Sequence, residues 1–110
     1  MIPRVLLQLI LDPSGVVQQS PSCTEADLVE ANRLVTAFAI PPDSLAPETL
    51  FVVPFVRQQI ALVTVVGQRF RFLLISRKLY AVIPDPFAIL DRFPVSWSNT
   101  DELEWPEEAL

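Results

Sequence analysis

Residues 59–72 read Gln-Ile-Ala-Leu-Val-Thr-Val-Val-Gly-Gln-Arg-Phe-Arg-Phe, a strand–turn–strand pattern around which the other elements are arranged. Gln59 to Val66 is dense in β-branched residues, and Gly67-Gln68 stands where a two-residue hairpin turn needs backbone at positive φ. Arg69-Phe70-Arg71-Phe72 then alternates strictly, which sets the arginines on one face of a strand and the rings on the other. Strand signals on both sides of a glycine turn predict an antiparallel hairpin. Upstream, Leu50 to Val56 is equally rich in valine and phenylalanine, and Pro54, which cannot donate to a ladder, assigns it to an edge or a bulge. Downstream, Leu79, Ala81 and Ile83 continue the alternation after a turn near Ser76-Arg77, predicting one more strand.

Working outward, Arg4 to Leu11 is rich in branched aliphatics and runs into Asp12-Pro13-Ser14-Gly15. Pro13 fixes one φ and Gly15 tolerates a positive one, so a tight turn returns the chain through Val16-Val17-Gln18 as an N-terminal hairpin. The apolar start at Met1 to Leu11 has a superficial likeness to a leader peptide. It is short, interrupted by Gln8 and followed by turn residues instead of a small-residue cleavage site, which favours a strand. Ser22 with Glu25 three residues later has capping-box spacing, and Leu28, Ala31, Val35 and Phe38 recur at helical intervals opposite Glu30 and Arg33. The expected helix spans about 24–39, and Pro41-Pro42 ends it. Pro84-Asp85-Pro86 breaks the sheet and opens a short helix capped by Asp85, whose Phe87, Ile89, Leu90 and Phe93 should pack on the strands. The expected fold class is therefore α+β: a mainly antiparallel sheet of about five strands with one long and one short helix. Residues 1–94 form one domain and 95–110 an acidic tail or arm. The length of 110 residues suits one core, and 51% hydrophobic against 19% charged residues favours a folded chain.

Composition also excludes chemistry. The chain has no histidine and one cysteine, so Ser-His-Asp triads, Cys-His pairs, imidazole metal ligands, intrachain disulfides and thiolate metal cages are all ruled out within it. A reducing cytoplasm fits. With 2 glycines, Gly15 and Gly67, neither a Walker-type loop nor a dinucleotide-binding fingerprint can be written, and no cofactor is expected. The longest membrane candidate, Ile60 to Val66, falls far short of the about 20 residues a spanning helix needs, so no membrane insertion is expected. Cys23, near the start of the expected helix, is in a place where a thiolate would be favoured, but it has no histidine to act with. Asp85 and Asp91 have the chemistry of a carboxylate pair, against the simpler roles of helix cap and ion-pair partner.

Charge is distributed unevenly. The formal net charge of −5 resides wholly in the tail, at Asp101, Glu102, Glu104, Glu107 and Glu108, because acids and bases balance over 1–94. Between Thr49 and Pro84 there are five basic residues (Arg57, Arg69, Arg71, Arg77, Lys78) and no acidic one. A positive patch around Arg69, Arg71 and Arg77 follows, with three readings open: a solvated face whose charges prevent edge aggregation, a protein-binding face engaged by an acidic tail of the same or another chain, or a nucleic-acid surface. The acidic balance of the whole chain speaks against nucleic acid. Trp97 and Trp105 stand in a polar, acidic context, where each should either fold back onto the domain or enter a partner's pocket. For Trp105 the self-docking version lays the tail across the basic sheet face.

In element order the chain is similar to the longin and roadblock folds, small α/β modules that pair through sheet edges or helices and regulate or scaffold other proteins. Asp85-Pro86-Phe87-Ala88-Ile89, Asp91-Arg92-Phe93-Pro94, Trp97 and Leu103-Glu104-Trp105-Pro106 resemble a segment of small bacterial domains that accompany a MoxR-type ATPase and a von Willebrand A protein in ternary conflict systems. That likeness is confined to residues 85–106 and carries no catalytic motif. It implies a component of a bacterial multiprotein system. Together with the charge layout and the two tryptophans, the expected function is a non-catalytic interaction or scaffold module, bound to a protein partner or to its own copies through Arg69, Arg71, Arg77, Trp97 and Trp105. The alternative is an enzyme subunit whose active site a partner completes, with polar groups from Arg69, Arg71 or Asp85.

Overall fold

The structure is a computed structural model that describes residues 5–20, 23–83, 85–92 and 103–104. Its elements follow in the order β1 (Val5–Asp12), β2 (Gly15–Gln19), α1 (Glu25–Phe38), a 3-10 turn (Pro42–Ser44), β3 (Leu50–Phe55), β4 (Gln59–Val66), β5 (Arg69–Ser76), α2 (Arg77–Val82), α3 (Pro86–Arg92) and β6 (Leu103–Glu104). The sheet order is β2-β1-β5-β4-β3, every pair antiparallel, with β6 joined to β1. The N-terminal hairpin thus sits beside the last strand of a three-strand meander. This is the expected α+β class.

Both expected hairpins form. Gly67 holds φ 61 and Gly15 φ 137, backbone that costs glycine little, and the strands flanking Gly67-Gln68 meet at Val66↔Arg69. Asp12 braces the first turn by accepting the Ser14 amide at 2.9 Å. β3 has no partner on its outer side among the described residues, the edge position that Pro54 favours, and β6 lies within the segment read as a tail.

Alternation divides the sheet into two faces. Leu7, Leu9, Leu11, Phe70, Phe72 and Leu74 join Ala31 of α1 in one core cluster, while Leu62, Leu73 and Ile75 pack with Leu79, Ile83 and Ile89 in the other. Phe38 stacks on Phe51 at 5.4 Å between centroids and meets Phe70 at 5.6 Å, which fastens the end of α1 to both β3 and β5.

Three local expectations need correction. The helix cap is Thr24 with Asp27, not Ser22 with Glu25: the Thr24 side chain accepts the Asp27 amide and Asp27 accepts the Thr24 amide. Leu79, Ala81 and Ile83 belong to no strand. β5 runs on to Ser76, whose partner Gln59 is the first residue of β4, so the chain has no β4 strand left to pair with and turns into α2, with the Ser76 hydroxyl accepting the Leu79 amide. Of the α3 residues expected to pack, Ile89 is buried and Leu90 is partly buried against the same cluster, but Phe87 is 51% exposed. Phe93 lies outside the described residues. Asp85 does cap α3, accepting the Phe87 amide at 2.9 Å.

Candidate functional site

A concavity lined by apolar surface and three basic side chains among the described residues lies at one end of the sheet. It has a volume of about 550 Å³, and its lining comes from the β3–β4 turn (Arg57, Gln58, Gln59), the start of α2 (Ser76, Arg77, Lys78) and Leu7 of β1.

The turn is specified by tertiary contacts. In the three-residue loop between the paired Phe55 and Gln59, Arg57 and Gln58 both adopt φ 59, left-handed backbone that glycine or asparagine ordinarily supplies, and each other residue there costs about 1–2 kcal/mol. Offsetting this, Arg57 grips Asp27 with two bonds, Nε to Oδ1 at 3.1 Å and Nη2 to Oδ2 at 2.5 Å. Gln59 Nε2 donates to the same Oδ1 at 3.0 Å and to the Val56 carbonyl at 3.0 Å. With the Thr24 amide on Oδ2 at 2.9 Å, the Asp27 carboxylate accepts four hydrogen bonds, which fills its lone-pair capacity. Burial raises its pKa, but the Arg57 bonds, the Thr24 amide and the Gln59 amide outweigh it and hold the carboxyl below its ordinary value.

The result is an oriented cation. The Arg57 side chain remains 41% exposed although its partner is 0% exposed, so part of the guanidinium faces solvent while the rest is tied down. Arg77 and Lys78 are exposed across the cleft. The Arg77 amide donates to the Gln58 carbonyl at 2.9 Å, which fixes α2 against the turn.

The arginines read from the sequence are not brought together. Arg69 is exposed at the start of β5, and Arg77 follows its end; at a rise of about 3.3 Å per residue the strand separates them by roughly 25 Å. Arg71 is 2% exposed and donates from Nε to Gln8 Oε1 at 2.6 Å, and burial lowers its guanidinium pKa. There is no single patch of Arg69, Arg71 and Arg77. Trp97 and Trp105 lie outside the described residues. Between them, Leu103–Glu104 pairs with Val5 and Leu6, directly before Leu7 of the cleft.

A second surface adjoins the first. The outer side of β3 pairs with no strand among the described residues, and the strand carries no charge from Leu50 to Phe55. Val52 is 40% exposed on it. This edge leads directly into the turn that bears Arg57.

Sequence reasoning counted Arg57 and Lys78 among the basic residues but missed the pairing with Asp27, which joins positions 30 residues apart. The one available sign was the Thr24-Glu25-Ala26-Asp27 capping spacing, hidden behind that of Ser22. Cys23 donates from Sγ to the Gln8 carbonyl at 3.9 Å. Among the described residues no group of three or more acidic or cysteine side chains has the arrangement of a metal site, and no helix is long and apolar enough to cross a membrane. No family model, curated protein or solved structure matches the chain.

Proposed function

We propose that this chain is a non-catalytic protein-interaction module, one component of a multiprotein system, that self-associates by antiparallel pairing of β3 with β3 of a second copy. The open, uncharged edge of β3 carries the reading. Native edge strands are usually blunted by charges, by shortness or by several prolines, and β3 has only Pro54. In a two-fold antiparallel pairing a residue at the axis faces its own symmetry mate, so a charge near the axis is set against its like. Leu50–Phe55 has no such charge. The similarity of element order to longin- and roadblock-type modules supports the same reading. Arg71 and Asp85, which the enzyme-subunit alternative would use, have structural partners in Gln8 and the Phe87 amide.

Sedimentation equilibrium tests this. The native chain should form a dimer, and Val52→Lys should shift it to monomer while leaving the far-ultraviolet circular dichroism unchanged, because Val52 is 40% exposed in the single chain. A native chain that remains monomeric at the highest attainable concentration, or a Val52→Lys dimer of undiminished affinity, overturns the reading.

A further inference from the structure

We propose that the cleft between the β3–β4 turn and α2 receives an acidic, extended peptide segment, with Arg57, Arg77 and Lys78 as its carboxylate receptors; this rests on the protein-interaction reading and adds a second, distinct surface to it. Among the described residues three cations line the cleft, and Asp27, the acid bonded to one of them, already has its lone pairs filled. The stretch from Thr49 to Pro84 supplies no other acid in sequence. The cleft therefore keeps an excess of positive charge around a guanidinium whose direction is set before any ligand arrives, which lowers the ordering cost of binding.

Its shape and chemistry favour carboxylates on a peptide over a free phosphate. Phosphate sites commonly use backbone amides at a helix start. Here the Arg77 amide is spent on the Gln58 carbonyl and the Leu79 amide on the Ser76 hydroxyl, so recognition falls to side chains spread across two elements. A volume of about 550 Å³ lies within the range of about 300–1,000 Å³ typical of sites for ligands larger than a lone anion. Leu7 gives the cleft an apolar component beside the charges, which suits mixed acidic and apolar sequence. The chain itself contains a segment of this kind, residues 101–110, Asp-Glu-Leu-Glu-Trp-Pro-Glu-Glu-Ala-Leu.

A fluorescein-labelled peptide of residues 101–110 is the probe. The receptors are two full-length chains, one native and one with Asp101, Glu102, Glu104, Glu107 and Glu108 replaced by their amides, which removes the acidic internal competitor. Fluorescence anisotropy should show binding to the amide-substituted chain that weakens with salt. Arg77→Glu with Lys78→Glu should weaken it about tenfold or more, while Arg69→Glu, at the other end of β5, should leave it unchanged. Absence of binding to both receptors overturns the proposal. So does an equal loss in Arg69→Glu, or displacement by inorganic phosphate at concentrations comparable to the peptide's. Sedimentation of the Arg77→Glu/Lys78→Glu chain separates the two surfaces: a dimer that persists while peptide binding fails in every receptor removes this inference and leaves the β3 pairing standing.

Discussion

The carboxylate of Asp27 is out of reach of solvent, yet Arg57, Gln59 and the Thr24 amide keep it ionised. A buried charge is tolerable only when paired and hydrogen-bonded, and removing one partner of such a pair leaves the other uncompensated. Its pKa in the folded chain lies below its ordinary value, so the fold favours the ionised form. The stability this contributes is fully present above the unfolded pKa of about 3.9, and it is lost as pH falls through the lower, folded value. Urea unfolding followed from neutral pH into acid should therefore show a loss of stability below about pH 4 that is shallower in Asp27→Asn. At neutral pH the Asn variant should be less stable by about 2 kcal/mol, since it keeps the shape but loses charged acceptors for the half-exposed Arg57. An unchanged acid slope would show that the ion pair does not couple to folding.

Helices and strands here obey their local sequence until neighbours run out. Ser76-Arg77-Lys78-Leu79 has both strand alternation and a helix cap, and periodicity alone cannot choose between them. The choice falls to helix because β4 begins at Gln59, opposite Ser76, and a residue beyond that point would leave backbone groups without a β4 partner. α2 and α3 then cover Leu62, Leu73 and Ile75 with Leu79, Ile83 and Ile89. Ile89 of α3 is fully buried, so Ile89→Ala should cost about 2–4 kcal/mol in chemical denaturation. A loss well under about 1 kcal/mol would show that α3 is a peripheral attachment and not part of the second core. Phe87→Ala, at a half-exposed position, should cost much less.

Over the molecule as a whole, protection from solvent should follow sheet position. β1, β5 and β4 have a neighbour on both sides, whereas β2 and β3 each have one open edge among the described residues. Opening a central strand disrupts two ladders and both core clusters, while an edge strand disrupts one. Native-state hydrogen exchange should accordingly find the slowest amides in Leu9–Leu11, Ala61–Val63 and Phe70–Leu74, with β2 and the outward amides of β3 faster. Slow outward β3 amides in the native chain that become fast in Val52→Lys would be the signature of the paired edge. Uniformly slow exchange across β2 and α3 would contradict this ordering.

What the sequence determined by itself was whatever depends on residues close in the chain. The Gly67-Gln68 hairpin, the extent of α1, the edge position of β3 and the Asp85 cap follow from turn chemistry, periodicity and proline's missing donor, which act over a few residues. Tertiary structure alone decided the rest. Arg71 alternates with Phe70 and Phe72 like an exposed arginine, but it is buried because β1 brings Gln8, 63 positions away, against it. Asp27 reads as a solvated helix acid until the β3–β4 turn delivers Arg57 and Gln59 to it. Charge type and alternation are local properties, whereas burial and pairing depend on which distant segment arrives at the same place, and strand order sets that.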